Sequence, residues 1–447
     1  MNPIDNPAES PRERSAALPL RVLVASGDSV GHLSHAAVLL DVLGQRYTME
    51  AAVVLPRNAR FRGWIERRGY PVVPVGVGLG THREFSAIDL VRHAPALAWS
   101  TLRGIWEGVA AIDRFGPDVV IGTGGRCSFS PMLAAVLRGL PTVTVPHYAV
   151  RRANRLLARM VDRTCLARRI DAEGFPPHVR PRLRVTGTPL RPEAFLPACR
   201  VDACRSLGLD PERPVVGMVG YSGGSPSTTR LFVEAGRRIR RDRPEVQLVV
   251  QYGDHPPGRA DAGALEQSSI FQPFFDSLPA VLSACDVVVS AAGETTLLEL
   301  CARGIPAVCV SVPDTPIGPH ISVLAEDLSR AGAAMYIRAD RVSAESVAVH
   351  VARLLADPAL RSRMSEAARA TVDPSTADSI VGVIEELLRQ PGAEAGLISG
   401  CHVSIDGTQV GAQEGMKGLI PLVSPLPSRV GGERFWEGRR WIVQISG

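Results

Sequence analysis

Short runs of β-branched and aliphatic residues alternate with longer segments of helical periodicity along this chain, and the alternation starts twice. The first cycle predicts strands at 21–26, 49–55, 71–75, 118–122, 141–145 and 183–186, with helices after 31, over 88–115 and after 151. The second cycle predicts strands at 214–219, 246–251, 286–290 and 305–311, each followed by a helical pattern. Strands that alternate with helices form parallel sheets covered on both faces. We therefore predict an α/β protein with two doubly wound domains in tandem.

Changes in composition give the domain boundaries. Residues 1–18 are predicted to be disordered, 19–190 form the first domain, and the proline-containing segment 191–213 connects it to a second domain at 214–390. The glycine-rich tail 391–447 lacks a helical period and carries a weak strand signal at 440–445. We expect the tail to be either disordered or a small hairpin.

Composition excludes several classes of protein. Of the 447 residues, 45% are apolar, which is enough to fill cores and excludes disorder of the whole chain. Eight cysteines occur singly without a Cys-x-x-Cys pair, so neither a structural zinc site nor a disulfide scaffold is expected. No apolar run marks a signal peptide or a membrane span, and a net charge of +5 is too dilute to indicate nucleic acid. A cytoplasmic protein is expected, with peripheral contact to the inner face of a membrane left open.

A turn containing two glycines follows the first strand and leads into a helix that begins near His32. Its residues Gly27, Asp28, Ser29 and Gly31 bring backbone N–H groups close to a ligand at the carboxyl end of the strand, where open α/β sheets bind theirs. His32 is placed to act as a general base toward a hydroxyl. A tight turn that needs glycine, with a histidine bonded to backbone, remains the alternative, and His-x-x-His alone gives little support for a metal.

Further glycine-rich turns follow other strands. Gly124 and Gly125 lie after the strand at 118–122, and a basic segment containing Arg152 and Asn154 follows the next strand. That segment either neutralises phosphate or is a solvated helix face. In the second domain, glycines and hydroxyl side chains at Tyr221, Ser222, Gly223, Gly224 and Ser225 resemble a diphosphate cradle.

A second helix start in the C-terminal domain carries Gly293, Glu294, Thr295 and, one and a half turns later, Glu299. A carboxylate in this position can accept hydrogen bonds from both hydroxyls of a ribose, although an exposed helical glutamate is the commoner case. Pairs of the Asp-x-Asp type are absent from the sequence, so a metal-bridged diphosphate is not indicated.

The helix at 88–115 has two stripes. We predict a core stripe of Val91, Ala98, Leu102, Ile105, Val109 and Ile112. An adjacent stripe combines two tryptophans with two arginines, namely Arg92, Trp99, Arg103 and Trp106. Tryptophan beside arginine outside a core suits either a membrane interface or packing under a loop.

Four segments in the same order and spacing resemble MurG-like glycosyltransferases over about 21–388. They are PDVVIGTGG (117–125), ANRLLARMVDR (153–163), VTGTPLRPE (185–193) and CDVVVSAAGETTLLELCARGIPAV (285–308). The resemblance implies a GT-B fold, in which two Rossmann-like domains face a cleft, and inverting, metal-independent transfer of a hexose or amino-hexose from a nucleotide diphosphate sugar. It also implies that the helix at 376–390 packs back on the first domain. No cofactor is expected.

The resemblance assigns residues to three roles. His32 is the catalytic base. The donor site comprises Arg191 on the diphosphate, the backbone of Phe275 on uracil, Glu299 on the ribose, and Tyr221, Ser222, Gly223, Gly224, Ser225, Gly293, Glu294, Thr295 and His320. The acceptor site comprises Gly27, Asp28, Ser29, Gly31, Gly124, Gly125, Tyr148, Arg152 and Asn154.

Two departures from the family pattern concern the substrates. Tyr148 replaces an acceptor-side asparagine, and paired glutamines that read the donor sugar are missing from 318–322, where Ile321 offers no polar atom. We therefore expect a specialised natural-product or glycolipid pathway in bacterial secondary metabolism, with MurG-type transfer to lipid I as the alternative. A nucleotide-sugar hydrolase or epimerase, and a non-catalytic helper subunit that binds a nucleotide sugar, are further alternatives.

Overall fold

The computed structural model describes residues 19–76, 87–147, 152–258, 269–291, 293–312 and 318–389, together with two short strands in the tail. The first seven strands form one parallel sheet in the order β3-β2-β1-β4-β5-β6-β7. They are β1 (Leu20–Ala25), β2 (Met49–Pro56), β3 (Val72–Val75), β4 (Val119–Gly122), β5 (Thr142–Thr144), β6 (Arg163–Leu166) and β7 (Leu183–Val185). The helices of this part are α1 (Val30–Arg46), α2 (Arg62–Glu66), α3 (Ala87–Phe115), α4 (Arg126–Leu137) and α5 (Arg152–Leu157).

The next six strands form a second parallel sheet in the order β10-β9-β8-β11-β12-β13. They are β8 (Val215–Gly220), β9 (Gln247–Gln251), β10 (Ser269–Gln272), β11 (Val287–Ala291), β12 (Ala307–Val310) and β13 (Met335–Ile337). The helices are α6 (Arg200–Ser206), α7 (Pro226–Asp242), α8 (Leu278–Ser283), α9 (Glu294–Arg303), α10 (Gly318–Arg330), α11 (Ala344–Ala356), α12 (Pro358–Arg369) and α13 (Thr376–Arg389). The two sheets with their flanking helices confirm the predicted pair of Rossmann-like domains.

Each sheet is buried on both faces. In β1, Val22 and Val24 pack into a core with α1, whereas Leu23 and Ala25 pack into a separate core on the opposite face. Side chains alternate between faces along a strand, so two apolar cores require an unbroken apolar run, which is what β1 has. The turns that carry the candidate site follow the carboxyl ends of β1 and β4 in the first sheet and of β8 and β11 in the second.

The last helix, α13, belongs to the core of the first sheet although it follows the second. Its apolar side chains pack against α1 within that core, and they are Ala377, Ile380, Val381, Val383, Ile384 and Leu387. Arg46 at the end of α1 binds Asp378 and Glu385 of α13 at 2.5 and 2.9 Å. The chain therefore crosses between the sheets twice.

Several elements differ from the prediction. The segment 191–213, predicted as a connection without periodicity, contains α6, whose Cys204 is buried in the core of the second sheet. The strands β6, β10 and β13 were not predicted. In the tail, described separately, Arg434–Glu437 and Arg440–Val443 pair as an antiparallel hairpin, one of the two predicted alternatives.

Candidate active site

The carboxyl ends of the two sheets meet through contacts between their loops. The ring of Phe61, before α2, lies 5.3 Å from the ring of Phe274, between centroids. Arg67 donates to Asp276 at 2.8 Å, and Arg60 forms an ion pair with Asp254. Phe274 also packs against the core of the first sheet. Segments that follow β2, β9 and β10 thus join the two parts of the fold.

His32 lies in the first turn of α1 and is held by the turn that precedes it. Ser29 is the N-cap of this helix, and its Oγ accepts from the His32 backbone N–H at 3.4 Å. The same Oγ lies 2.6 Å from Nδ1 of the His32 ring. A Cβ on Gly27 would lie 2.9 Å from the ring, so only glycine leaves room for the imidazole there. The ring is therefore fixed on both sides.

Two further imidazoles adjoin His32. The ring of His147, just after β5, lies 5.3 Å from the His32 ring and 5.1 Å from that of His35. His35 is buried, and desolvation, helped by the charge of His32, lowers its pKa to about 3. His35 is therefore neutral at physiological pH, and it adds no charge beside the rings of His147 and His32.

The predicted acceptor-side glycines face the same ring. Gly125 has a φ of 84°, a conformation that favours glycine, and a Cβ there would lie 3.3 Å from Nε2 of His32. Its N–H donates to Oδ1 of Asn154 at 3.3 Å. The structure thus brings Gly27, Gly31, Gly125 and Asn154 around His32. Tyr148 lies outside the described residues, as do the side chains of Arg152 and His320.

The turn after β8 carries the residues predicted to hold the diphosphate. Ser225 is the N-cap of α7, and its Oγ accepts from the Thr228 N–H at 3.1 Å. Gly224 has a φ of 64°, and a Cβ there would lie 2.2 Å from the carbonyl oxygen of Tyr252. The ring of Tyr221 lies over Gly223. The backbone of this turn is therefore fixed by close packing at the start of α7, and a helix N-terminus offers unpaired N–H groups to an anion.

Gln251, at the end of β9, joins this turn to the segment predicted to read the base. Its Nε2 donates to the Gly220 carbonyl at 3.2 Å, and its Oε1 accepts from the Phe275 N–H at 3.3 Å. Phe275 was expected to offer its backbone to uracil. In this structure its N–H is used by Gln251, so a base contact through that N–H has to replace this bond.

The start of α9 approaches His32 from the second sheet. Gly293 is its N-cap, and the hydroxyl of Thr188 donates to Glu294 Oε1 at 2.7 Å. Burial raises the pKa of Glu294 to about 7. Thr295 Oγ1 is buried and has no hydrogen-bond partner among the described residues. A Cβ on Gly31 would contact both Thr295 and His147, so α1 and α9 meet at their N-termini.

Arg191 and Glu299 bind each other. The guanidinium donates from Nε and Nη2 to the two carboxylate oxygens at 2.8 and 2.9 Å, and the side chains are 9% and 1% exposed. The sequence led us to expect separate contacts, Arg191 with the diphosphate and Glu299 with the ribose. The two roles stay predictions, and in the structure the side chains form a buried bidentate pair that links the interdomain segment to α9.

One face of α3 exposes large apolar side chains. Trp99, Leu102 and Trp106 are 71%, 61% and 71% exposed and share one helical face. Leu102 was predicted on the core stripe, which is wrong, whereas Ile112 is buried as expected.

No helix within the described residues combines the length and the apolar character needed to cross a bilayer. Nor do three His, Cys, Asp or Glu side chains in the described ranges gather where they could hold a metal ion.

Sequence reasoning missed three residues of this region. They are His147, which contacts His32, Gln251, which ties Phe275 to Gly220, and Thr188, which binds Glu294. His147 and Gln251 are polar residues at the carboxyl ends of strands, and that position was the available signal.

Comparison with known proteins gives consistent results. Residues 215–380 match the model of the glycosyltransferase family 28 C-terminal domain. A UDP-N-acetylglucosamine–N-acetylmuramyl-(pentapeptide) pyrophosphoryl-undecaprenol N-acetylglucosamine transferase of Phenylobacterium zucineum is 31% identical, over 82% of this chain and 98% of its own. The protein of the same name from Desulforudis audaxviator is 29% identical, over 82% and 98%.

A solved structure of MurG from Acinetobacter baumannii superimposes with a TM-score of 0.58 at 19% identity, covering 83% of this chain and all of that one. This likeness confirms the GT-B fold. The relatives are named for transfer of N-acetylglucosamine to a pyrophosphoryl-undecaprenol acceptor, so the expectation of bacterial secondary metabolism receives no support from them. The alternative of MurG-type transfer is the better supported of the two.

Proposed function

Because this chain belongs to the MurG family of glycosyltransferases, we propose that it transfers N-acetylglucosamine from UDP-N-acetylglucosamine to a hydroxyl of N-acetylmuramyl-(pentapeptide) pyrophosphoryl-undecaprenol. The relatives' names supply the identity of donor and acceptor. That the chain is a glycosyltransferase using a nucleotide sugar follows from the family itself.

One observation supports the chemistry most directly. Gly31, next to His32 in the first turn of α1, lies against the start of α9, where the buried hydroxyl of Thr295 has no hydrogen-bond partner among the described residues. A buried polar atom costs free energy unless it is bonded, so an unpartnered hydroxyl where two helix N-termini meet supports a polar ligand there. The N-termini of α7 and α9 attract negative charge, which suits a diphosphate.

The transfer step follows from this placement. Nε2 of His32 takes the proton of the acceptor hydroxyl, and the hydroxyl oxygen bonds to the anomeric carbon. The bond from that carbon to the β-phosphate oxygen breaks, and its electron pair leaves with UDP. Backbone N–H groups at the starts of α7 and α9 stabilise the charge on the leaving diphosphate. Attack opposite the leaving group inverts the anomeric carbon.

The acceptor's lipid requires the protein to approach a membrane. The face formed by Trp99, Leu102 and Trp106 is exposed, and Arg103 lies beside it with a side chain that is 59% exposed. Indole rings and arginines favour the headgroup region of a bilayer, and arginine is attracted to anionic lipids. We assign this face to peripheral contact with the membrane.

Turnover on radiolabelled lipid I with UDP-N-acetylglucosamine tests the proposal. Efficient transfer is expected, and His32→Ala should abolish it while leaving the stabilisation by UDP in thermal melts intact. Release of free sugar without acceptor would instead support a hydrolase or epimerase. UDP binding without turnover over a broad panel of donors and acceptors would indicate a non-catalytic subunit and refute the proposal.

A further inference from the structure

The contact between Ser29 and His32 does more than begin a helix. N-caps bind the backbone N–H of the second or third helical residue, and Ser29 does so with His32. Its Oγ also lies 2.6 Å from Nδ1 of the same residue, shorter than the 3.4 Å of the cap bond. One hydroxyl therefore holds both the backbone and the side chain of His32.

The two other serines whose side chains cap a helix within the described ranges bind only hydroxyls and backbone N–H groups. Ser225 caps α7 and contacts Ser227 and Thr228, and Ser343 caps α11 and contacts Ser346. The contact with an imidazole therefore does not follow from capping alone. It requires a histidine at the third helical position with its ring turned back toward the cap.

The two nitrogens of the His32 ring face different surroundings. Nδ1 faces the Ser29 hydroxyl, and Nε2 faces the turn at Gly125. A neutral imidazole carries one proton, and the hydrogen bond at one nitrogen decides which nitrogen keeps a lone pair. If Nδ1–H donates to Ser29, the lone pair lies on Nε2. If the hydroxyl donates to Nδ1 instead, Nε2 is protonated and cannot accept a proton.

We propose that Ser29 is the positioning residue of His32: its hydroxyl accepts from Nδ1–H and so fixes the tautomer in which Nε2 faces the acceptor-side turn as the base. This inference rests on the proposed function of His32. Many catalytic histidines have a carboxylate in this place. Here a neutral hydroxyl fills it, which orients the ring without adding charge.

The surroundings of the ring are consistent with a neutral partner. The imidazole of His147 after β5 lies 5.3 Å from the His32 ring, the neutral imidazole of His35 on α1 adjoins His147, and Asp28 lies in the same turn as Ser29. Glu294 at the start of α9 is the titratable group on the facing helix. Replacing Ser29 with aspartate places a negative charge beside Nδ1, where the wild type has a neutral hydroxyl.

The first experiment reads the tautomer without using activity. The full chain is labelled with ¹⁵N-histidine, and two-bond proton–nitrogen correlation spectra identify the protonated nitrogen of His32, assigned by difference with His32→Gln. We expect Nδ1–H in the wild type and in Ser29→Thr, and a mixture of tautomers in Ser29→Ala. Nε2–H in the wild type would overturn the proposal.

The second experiment reads the pH dependence of transfer. Ser29→Ala should lower kcat roughly 10–100-fold, by analogy with the loss when the hydrogen-bond partner of a metal-bound histidine is removed, with the KM for the donor unchanged. Ser29→Thr should restore the rate. Ser29→Asp keeps a cap but places a negative charge at Nδ1, so the acidic limb of kcat/KM should move upward by about one pH unit or more.

Ser343→Ala is the matched control, since it removes a serine cap from a helix that carries no site residue. It should leave the rate and its pH profile unchanged. If the acidic limb of kcat/KM did not move in Ser29→Asp and all three Ser29 variants lost the same rate, Ser29 would act only on helix stability. If the Nδ1–H tautomer is found but no transfer occurs with any acceptor, the proposed function fails while the assignment of Ser29 stands.

Discussion

Replacing Glu299 by glutamine should destabilise the second half of the fold strongly. The change keeps the size and hydrogen-bonding shape of the side chain but removes its charge, which leaves the Arg191 guanidinium buried without a counter-charge. Breaking a buried ion pair by removing one partner costs about 3–5 kcal/mol. For a domain of 150–250 residues each kcal/mol lowers the melting temperature by about 2–4 °C, so the decrease should be roughly 6–20 °C.

Differential scanning calorimetry of the full chain measures this decrease. Two further variants test whether it comes from the unpaired buried charge. Arg191→Met/Glu299→Leu removes both charges, so it should recover most of the lost stability. Glu326→Gln breaks an exposed pair with Arg330 on α10, which is worth only about 0.3–0.5 kcal/mol in a pair of this spacing. It should therefore melt almost as the wild type does.

The reasoning would be refuted if Glu299→Gln had the same melting temperature as the wild type. That result would mean that Arg191 finds water or another partner at no cost, and that the pair does not hold the interdomain segment against α9. If the double variant were as unstable as the single one, the loss would come from packing rather than from the unpaired charge.

Three further predictions concern Glu294, Gly224 and the exposed face of α3. Burial raises the pKa of Glu294 from 4.5 to about 7, so the folded state holds the extra proton and loses stability as the pH rises between these values. The advantage of Glu294→Gln in thermal melts should therefore grow from pH 5 to pH 8, and a constant difference would contradict this. Gly224→Ala should abolish the thermal stabilisation by UDP because its Cβ meets the carbonyl of Tyr252, whereas Gly332→Ala, with a φ of 72° and no atom within 4 Å, should cost only about 1–2 kcal/mol and keep UDP binding. Trp99→Ser and Trp106→Ser should reduce co-sedimentation with anionic vesicles without changing the melting temperature, since both rings are 71% exposed; unchanged sedimentation would refute the membrane contact.

Strands buried on both faces were predictable because they read as unbroken apolar runs. β1, β4, β8 and β11 lie within one residue of their predicted positions. β6 was missed because its sequence, RTCL, includes an arginine and a threonine. α6 was missed because it is short and lies between prolines, yet Cys204 anchors it to a core. Burial of a short polar segment depends on the neighbouring elements, which local periodicity does not contain.

The turns of the site were also predictable, since a glycine-containing segment between a strand and a helix usually forms a tight turn. The pairing of side chains was not. Arg191 and Glu299 lie 108 residues apart, and nothing in either local sequence indicates that one binds the other. Leu102 was placed in the core by helical periodicity, whereas it lies on the exposed face with Trp99. Periodicity gives the spacing of a stripe, and tertiary packing decides which stripe is covered.

The return of α13 to the first sheet affects the order in which the protein can fold on the ribosome. Domains usually fold one after another during synthesis, beginning at the N-terminus. Here the apolar surface of α1 is completed by Ile380, Ile384 and Leu387, which are made last among the described helices. The nascent first half must therefore wait, with that surface uncovered, until almost 390 residues have been translated, and during this interval it is a natural substrate for chaperones.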